Sequence, residues 1–181
     1  MLKETVKKND RKQTLVLGIP RAGVLTADIV AKRLSIPNFD IILPRKLTNL
    51  DDKEQAIGAV LDDGYTFILH DLVNHFQISE EYLRKEIAFQ IHEINQRKRK
   101  YYKNLPISFL SERIREHNII ILVDNGIATG ATMTVVAKWI HQFVTSSNIN
   151  QKRMIVAALV SHKIDVEQIR RGCSSEMATV I

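Results

Sequence analysis

Cysteine is almost absent: the 181 residues contain one, Cys173. A single thiol can build neither a disulfide framework nor a cysteine-based zinc site, and a reducing compartment is the default. No apolar run reaches the roughly 18 residues that a membrane helix needs. Met1–Gln13 is polar and carries no apolar signal core. A cytoplasmic chain with no membrane partner is therefore expected. Internal repeats and low-complexity stretches are lacking too. Two familiar phosphate motifs are also missing. No lysine follows Gly130, which excludes a Walker-type loop, and there is no G-x-G-x-x-G dinucleotide fingerprint.

Hydrophobic residues make up 45% of the chain and charged residues 25%. That is the mix of a globular protein, and the length suits one domain with a proper core. A flexible segment is expected over residues 1–13, followed by one domain over residues 14–181. Lys and Arg total 26 against 20 Asp and Glu, a formal charge of +6. This balance favours anionic partners without choosing among them.

Short apolar runs at Thr14–Leu17, Phe39–Leu43, Tyr65–Leu69, Ile119–Val123, Met154–Val160 and Met177–Ile181 read as strands. Helical spacing marks Ala22–Leu34, a stretch opening at Ser79 with Leu83, Ile87, Ile91 and Ile94, and Thr132–Val144. Asp165–Arg171 reads as a short helix, and the polar residues 47–58 as a mobile loop. Alternating strands and helices predict an α/β fold with a parallel sheet covered on both sides. The unbroken run Ile119–Val123 suits its central strand. The chain stops inside a strand-like segment, so a further C-terminal portion is expected.

The informative stretch is IIILVDNGIATGAT, Ile119–Thr132. A buried strand delivers Asp124 to the carboxyl edge of the sheet, where open parallel sheets bind ligands. A helix then begins, and the free N–H groups of its first turn attract phosphate. Gly130 permits close backbone approach, and Thr129 and Thr132 add hydroxyl donors. A carboxylate at Asp124 can accept from sugar hydroxyls or hold Mg²⁺. Taken alone, Asn125-Gly126 is an ordinary turn signal and Thr129 an ordinary cap.

As a whole the string resembles the phosphoribosyl pyrophosphate (PRPP) signature of type I phosphoribosyltransferases: an apolar strand, an acidic pair, then Thr-Gly-x-Thr. GIPRAG, Gly18–Gly23, stands where that family has its pyrophosphate loop. Arg45-Lys46 follows the second expected strand, where the family often carries a basic residue. KEQAIGAV, Lys53–Val60, is similar to a patch of an uncharacterised subgroup. The resemblance implies a three-layer, doubly wound, mostly parallel sheet with a flexible hood loop. It implies that PRPP lies along Asp124, Asn125, Gly126, Ile127, Ala128, Thr129, Gly130, Ala131 and Thr132. Pyrophosphate would meet Pro20, Arg21, Ala22, Gly23, Arg45 and Lys46. Arg21, Lys46 and Asp124 would carry catalysis, Asp124 would hold Mg²⁺, and a small acceptor, expected to be nitrogenous, would take the phosphoribosyl group as pyrophosphate leaves. Homodimers are common in the family.

Three positions depart from the family's pattern. Asn125 replaces the second acid, Ala22 replaces a glycine beside a peptide bond that is often strained, and Ala128 replaces an aspartate of purine-salvage members. Purine salvage is thereby disfavoured. The rival reading is a PRPP-sensing regulator without catalysis, which the basic run Arg97–Lys103 could bring to nucleic acid. A solvated helix end is the more economical account of that run, so nucleic acid is not the expected partner. A decayed paralogue that binds neither is a third reading. His70, His75 and His92 match no metal-ligand spacing, and Cys173 has no evident catalytic partner.

Overall fold

In a computed structural model of the chain, the described residues are 6–102, 108–127, 130–146, 152–161 and 178–180. They form two compact units. One comprises Met1–Ile42, Pro106–Ala128 and Ala137–Ile181, the other Leu43–Leu105 and Thr129–Val136.

The first unit is built on a five-stranded sheet. Its strands are β1 (Thr14–Gly18), β2 (Asn38–Ile41), β6 (Ile119–Ile127), β7 (Arg153–Ser161) and β8 (Ala178–Val180), in the order β2-β1-β6-β7-β8. Every pairing in it is parallel. Parallel neighbours need crossovers. Helix α1 (Ala22–Leu34) connects β1 to β2, and α5 (Ala131–Ser146) lies between β6 and β7.

Successive side chains on β1 and β6 point to opposite faces, yet both sets are buried. Val16, Ile121 and Val123 pack with Ala27, Ala31 and Leu34 of α1. Leu15, Leu17, Ile120 and Leu122, on the other face, are fully enclosed as well. This double burial is why the expected β-branched and aliphatic run becomes the sheet's centre.

Helix α1 stops at Ser35, which adopts a left-handed conformation (φ 54°, ψ 43°). The N–H of Ile36 then bonds back to the carbonyl of Ala31 at 2.9 Å, a Schellman-type end. Helix α4 (Ser108–Glu116) was not evident from periodicity. It is clipped to β2 by Arg113, whose Nη1 donates to Phe39 O at 2.9 Å and to Asp40 Oδ2 at 2.7 Å. Within the segment 1–13, expected to be flexible, Lys8–Gln13 forms a 3-10 helix and Val6 is buried in the core.

The second unit corrects the expected topology. Residues 47–58 are not one loop. Arg45–Thr48 is β3 and Ala56–Val60 is β4, an antiparallel hairpin around residues 49–55. The run read at Tyr65–Leu69 is β5 (Thr66–Ile68) of the same small sheet, ordered β3-β4-β5, not a parallel strand. The mostly polar residues 49–55 masked the strands. Leu47, Ile57 and Val60 point inward and join Leu43 and Ile94 in a separate core. A Cβ on Gly58 would lie 2.4 Å from Phe67 O, so only glycine allows β5 to pair there.

Two helices complete the unit: α2 (His70–His75), which was unforeseen, and α3 (Glu80–Tyr102), which matches the expected one. The expected helix Asp165–Arg171 lies outside the described residues. Among those residues, no helix is long and apolar enough to cross a membrane.

Candidate active site

The parallel register places two expected segments side by side. Gly18 ends β1 opposite Val123 of β6. The chain then continues along β6 for one more residue, with Ile19 N–H donating to Val123 O at 2.9 Å. The Pro20–Arg21 peptide bond is cis, Arg21 is the exposed N-cap of α1, and Ala22 is its first residue.

Gly23, in the first turn of α1, lies directly against Asp124. A Cβ there would be 2.8 Å from Asp124 Oδ1 and 2.9 Å from Asp124 Cα, closer than a real Cβ comes to its neighbours. Gly18 is crowded in the same way by Val24 Cα, at 2.9 Å. The glycines that frame GIPRAG therefore allow the β1–α1 turn to close on the carboxyl edge.

Asp124 is half-buried. Its Oδ1 accepts the Asn125 N–H at 2.7 Å. Burial pushes its carboxyl up to about 6, and hydrogen bonds from the Asn125 and Gly126 backbone partly oppose that rise. The strand carrying it runs further than its apolar core suggested. Asp124 pairs in register with Ala158, Gly126 with Val160 and Ile127 with Ser161. Asn125 is exposed. Ala128 and Thr129 lie outside the described residues. Gly130 has φ +70°, a conformation that favours glycine, and Ala131 opens α5. The Gly130 carbonyl takes the Thr134 N–H at 2.8 Å, which leaves the N–H groups of Ala131 and Thr132 free of intrahelical bonds.

Arg45 and Lys46 stand elsewhere than the sequence suggested. The second parallel strand stops at Ile41, and these residues open β3 of the antiparallel sheet. Successive side chains on a strand diverge, so the two face opposite ways. Arg45 turns onto α3, with Nε donating to Gln90 Oε1 at 2.7 Å and Nη2 lying 3.9 Å from Glu93 Oε2. Burial, reinforced by Arg97, lowers its pKa against the pull of Glu93 and Glu86. Lys46 is exposed and rests 3.7 Å from Glu54 Oε2, an open contact that a stronger anion could replace.

The phosphoribosyl transferase domain model matches residues 1–176. The chain belongs to the phosphoribosyl transferase family. Two Mycobacterium tuberculosis proteins, MT0597 (strain CDC 1551 / Oshkosh) and Rv0571c (strain H37Rv), each named "Putative phosphoribosyl transferase", are 34% identical to it over 121 residues. The match covers 67% of this chain and 26% of each relative, so the chain spans about a quarter of their length. A crystal structure of TT1426 from Thermus thermophilus superposes with a TM-score of 0.59 at 26% identity, covering 99% of this chain and 78% of that one. The fold and the family expected from Ile119–Thr132 and Gly18–Gly23 are thus established. In this phosphoribosyl transferase domain, the β1–α1 turn and Asp124 form one continuous edge of the first unit.

Proposed function

We propose that the protein binds PRPP with Mg²⁺ and transfers its phosphoribosyl group to a nitrogenous small-molecule acceptor. The observation that carries this reading is the contact between Gly23 and Asp124, where the expected pyrophosphate loop meets the expected ribose-binding carboxylate. Asp124 and Asn125 would take the ribose hydroxyls. The nest from Ala128 through Thr129, Gly130 and Ala131 to Thr132 would hold the 5′-phosphate, with Gly126 and Ile127 also along PRPP. Arg21, with the Pro20–Gly23 backbone, would bind pyrophosphate. Lys46 and Arg45 carry the same assignment from the family resemblance.

The donor set suits Mg²⁺. Among the described residues no cluster of three or more metal-ligating side chains occurs. Asp124 offers one half-buried carboxylate, and Mg²⁺ is commonly held by one or two carboxylates together with substrate phosphate oxygens. When bound, the ion would neutralise charge on the departing pyrophosphate.

Bond breaking between the anomeric carbon and the pyrophosphate oxygen leaves the electron pair on pyrophosphate, and the sugar carbon gains positive character. The acceptor nitrogen forms the new bond and releases a proton to solvent. The chain's task is electrostatic: Arg21 and the backbone donors of the β1–α1 turn would stabilise the leaving group, while Asp124 and Asn125 would keep the ribose in place. Ala128, in place of an aspartate, supports an acceptor other than a salvaged purine. The scarcity of cysteine supports a reducing, cytoplasmic setting.

The test is a screen of free bases and amines for pyrophosphate release from PRPP, with Asp124→Ala as control. Release that needs Asp124 supports the reading; full activity in the variant refutes the site assignment. PRPP binding without turnover for any acceptor would assign a sensing role instead, with Asn125 as the departure that permits it.

A further inference from the structure

The parallel sheet of the first unit has two unlike edges. Gly23 and Asp124 meet at its carboxyl edge. At the opposite, amino edge the chain enters β1, β2, β6 and β7, and these entries are tied together. Asn38 Nδ2 donates to Lys12 O at 2.9 Å, the Asn118 N–H to Gln13 O at 2.9 Å and the Arg153 N–H to Asn118 O at 3.0 Å. The buried Lys152 ammonium donates to Arg115 O at 2.8 Å and His117 O at 2.6 Å.

The entry segments, residues 7–13, 32–38, 112–118 and 152–153, hold ten Lys and Arg against three acids, Asp10, Glu112 and Glu116. Asp28 and Asp40 pair Lys32 and Arg113, at 2.7 Å each. With those two acids also counted, this edge carries +5 of the chain's formal +6. The four segments lie far apart in the chain, so no basic run announces them. Helices α1 and α4 end here, and helix C-termini favour cations. Each such end offers only about half a negative charge, too little to cancel the excess.

Lys8, Lys12, Arg33 and Arg115 are exposed. Arg11 Nε is buried at this edge with no hydrogen-bond partner among the described residues. The Arg115 guanidinium lies 5.2 Å over the Phe143 ring of α5, and Phe143 stacks on Trp139 with ring centroids 5.9 Å apart. Neither aromatic ring is fully buried. Cations for phosphates beside a guanidinium–aromatic stack for bases are the two features that hold single strands. A lipid surface would use the charge and leave the stack without a task.

We propose that this amino edge binds single-stranded nucleic acid, with the strand's phosphates on Lys8, Lys12 and Arg33 and a base on the Arg115–Phe143 stack. The surface lies within one unit. Ile119 and Asp124 are five positions apart on β6, about 17 Å, so this edge stands clear of the carboxyl edge and does not depend on the PRPP reading. It is also separate from the basic end of α3.

The probe is a fluorescent single-stranded RNA of about twelve nucleotides, followed by anisotropy as the full chain is added. Saturable binding is expected, weakening about fiftyfold over a roughly fourfold rise in salt if about four cations neutralise phosphates. Lys12→Ala combined with Arg33→Ala is expected to weaken binding about tenfold and to reduce the salt slope by about 1.4. Arg115→Lys keeps the charge but loses the plane; it is expected to cost about fivefold in affinity with the slope unchanged. Arg99→Ala combined with Lys100→Ala, on α3, is expected to change affinity less than about twofold. The DNA of the same sequence is expected to bind alike, since phosphate contacts and stacking do not read the 2′-hydroxyl.

No binding of either oligonucleotide, indifference to the Lys12 and Arg33 changes, or an equal loss from the α3 pair would overturn the proposal. Vesicles containing phosphatidylserine are the competing probe. Capture by vesicles without oligonucleotide binding would assign the edge to a lipid surface and overturn it as well.

Discussion

At the scale of single residues, Gly23 and Asp124 constrain each other. Gly23→Ala would drive a Cβ to 2.8 Å from Asp124 Oδ1. We expect about 1–3 kcal/mol of lost stability, as for other overpacked sites, measured by urea unfolding. At least tenfold weaker PRPP binding is also expected, because the turn must move off the carboxylate. Asp124 has an energetic signature of its own. Its carboxyl rises from 3.8 to about 6 on folding, mainly through burial. A raised folded pKa favours the protonated native state, so this contribution is complete below about pH 3.8 and is lost as pH climbs through about 6. Allowing for partial solvent access, the loss is of order 1–3 kcal/mol. Asp124→Asn is therefore expected to melt higher than the unaltered metal-free protein at pH 8, with the gap closing towards pH 4, while binding PRPP less well. A variant no more stable at pH 8 would contradict the burial cost.

Elements were legible where one period dominated. The Ile119–Val123 strand, α1 and α3 could be read because their apolar residues repeat without interruption. Asp124 could be read because it directly follows such a strand. The β3–β4 hairpin was hidden because strands of only four and five residues flank a turn, 49–55, that is polar except for Leu50. Arg45 was misplaced for the same reason: its side chain is claimed by Gln90 and Glu93, more than forty positions along the chain, and no local pattern reports that. Helix α4 was missed because much of its anchoring is polar and distant. Lys152, almost fully buried, donates to Arg115 O at 2.8 Å and His117 O at 2.6 Å at the end of that helix. Lysine suits a helix C-terminus, where carbonyls lack partners. Lys152→Met should leave those carbonyls without their donor and cost about 1–3 kcal/mol, seen as a lower urea midpoint. An unchanged midpoint would mean water replaces the ammonium without loss.

For the molecule as a whole, sequence and structure agree on the family but differ in reach. The parallel sheet brings Gly18–Gly23 and Asp124 together inside one unit. The lysine and arginine assigned to pyrophosphate stand on the other unit's antiparallel sheet. Strand ends alone could not foretell that division, because the residues after Pro44 look locally like an extension of the second parallel strand. The central claim is that Asp124 anchors a phosphorylated ribose. Its most direct test is calorimetric titration of PRPP, with Mg²⁺ present, into the unaltered protein and into Asp124→Ala. We predict saturable one-to-one binding by the first and at least tenfold weaker binding by the second, with the circular dichroism of the two alike. Equal affinity in both, or no binding by either, would contradict the account.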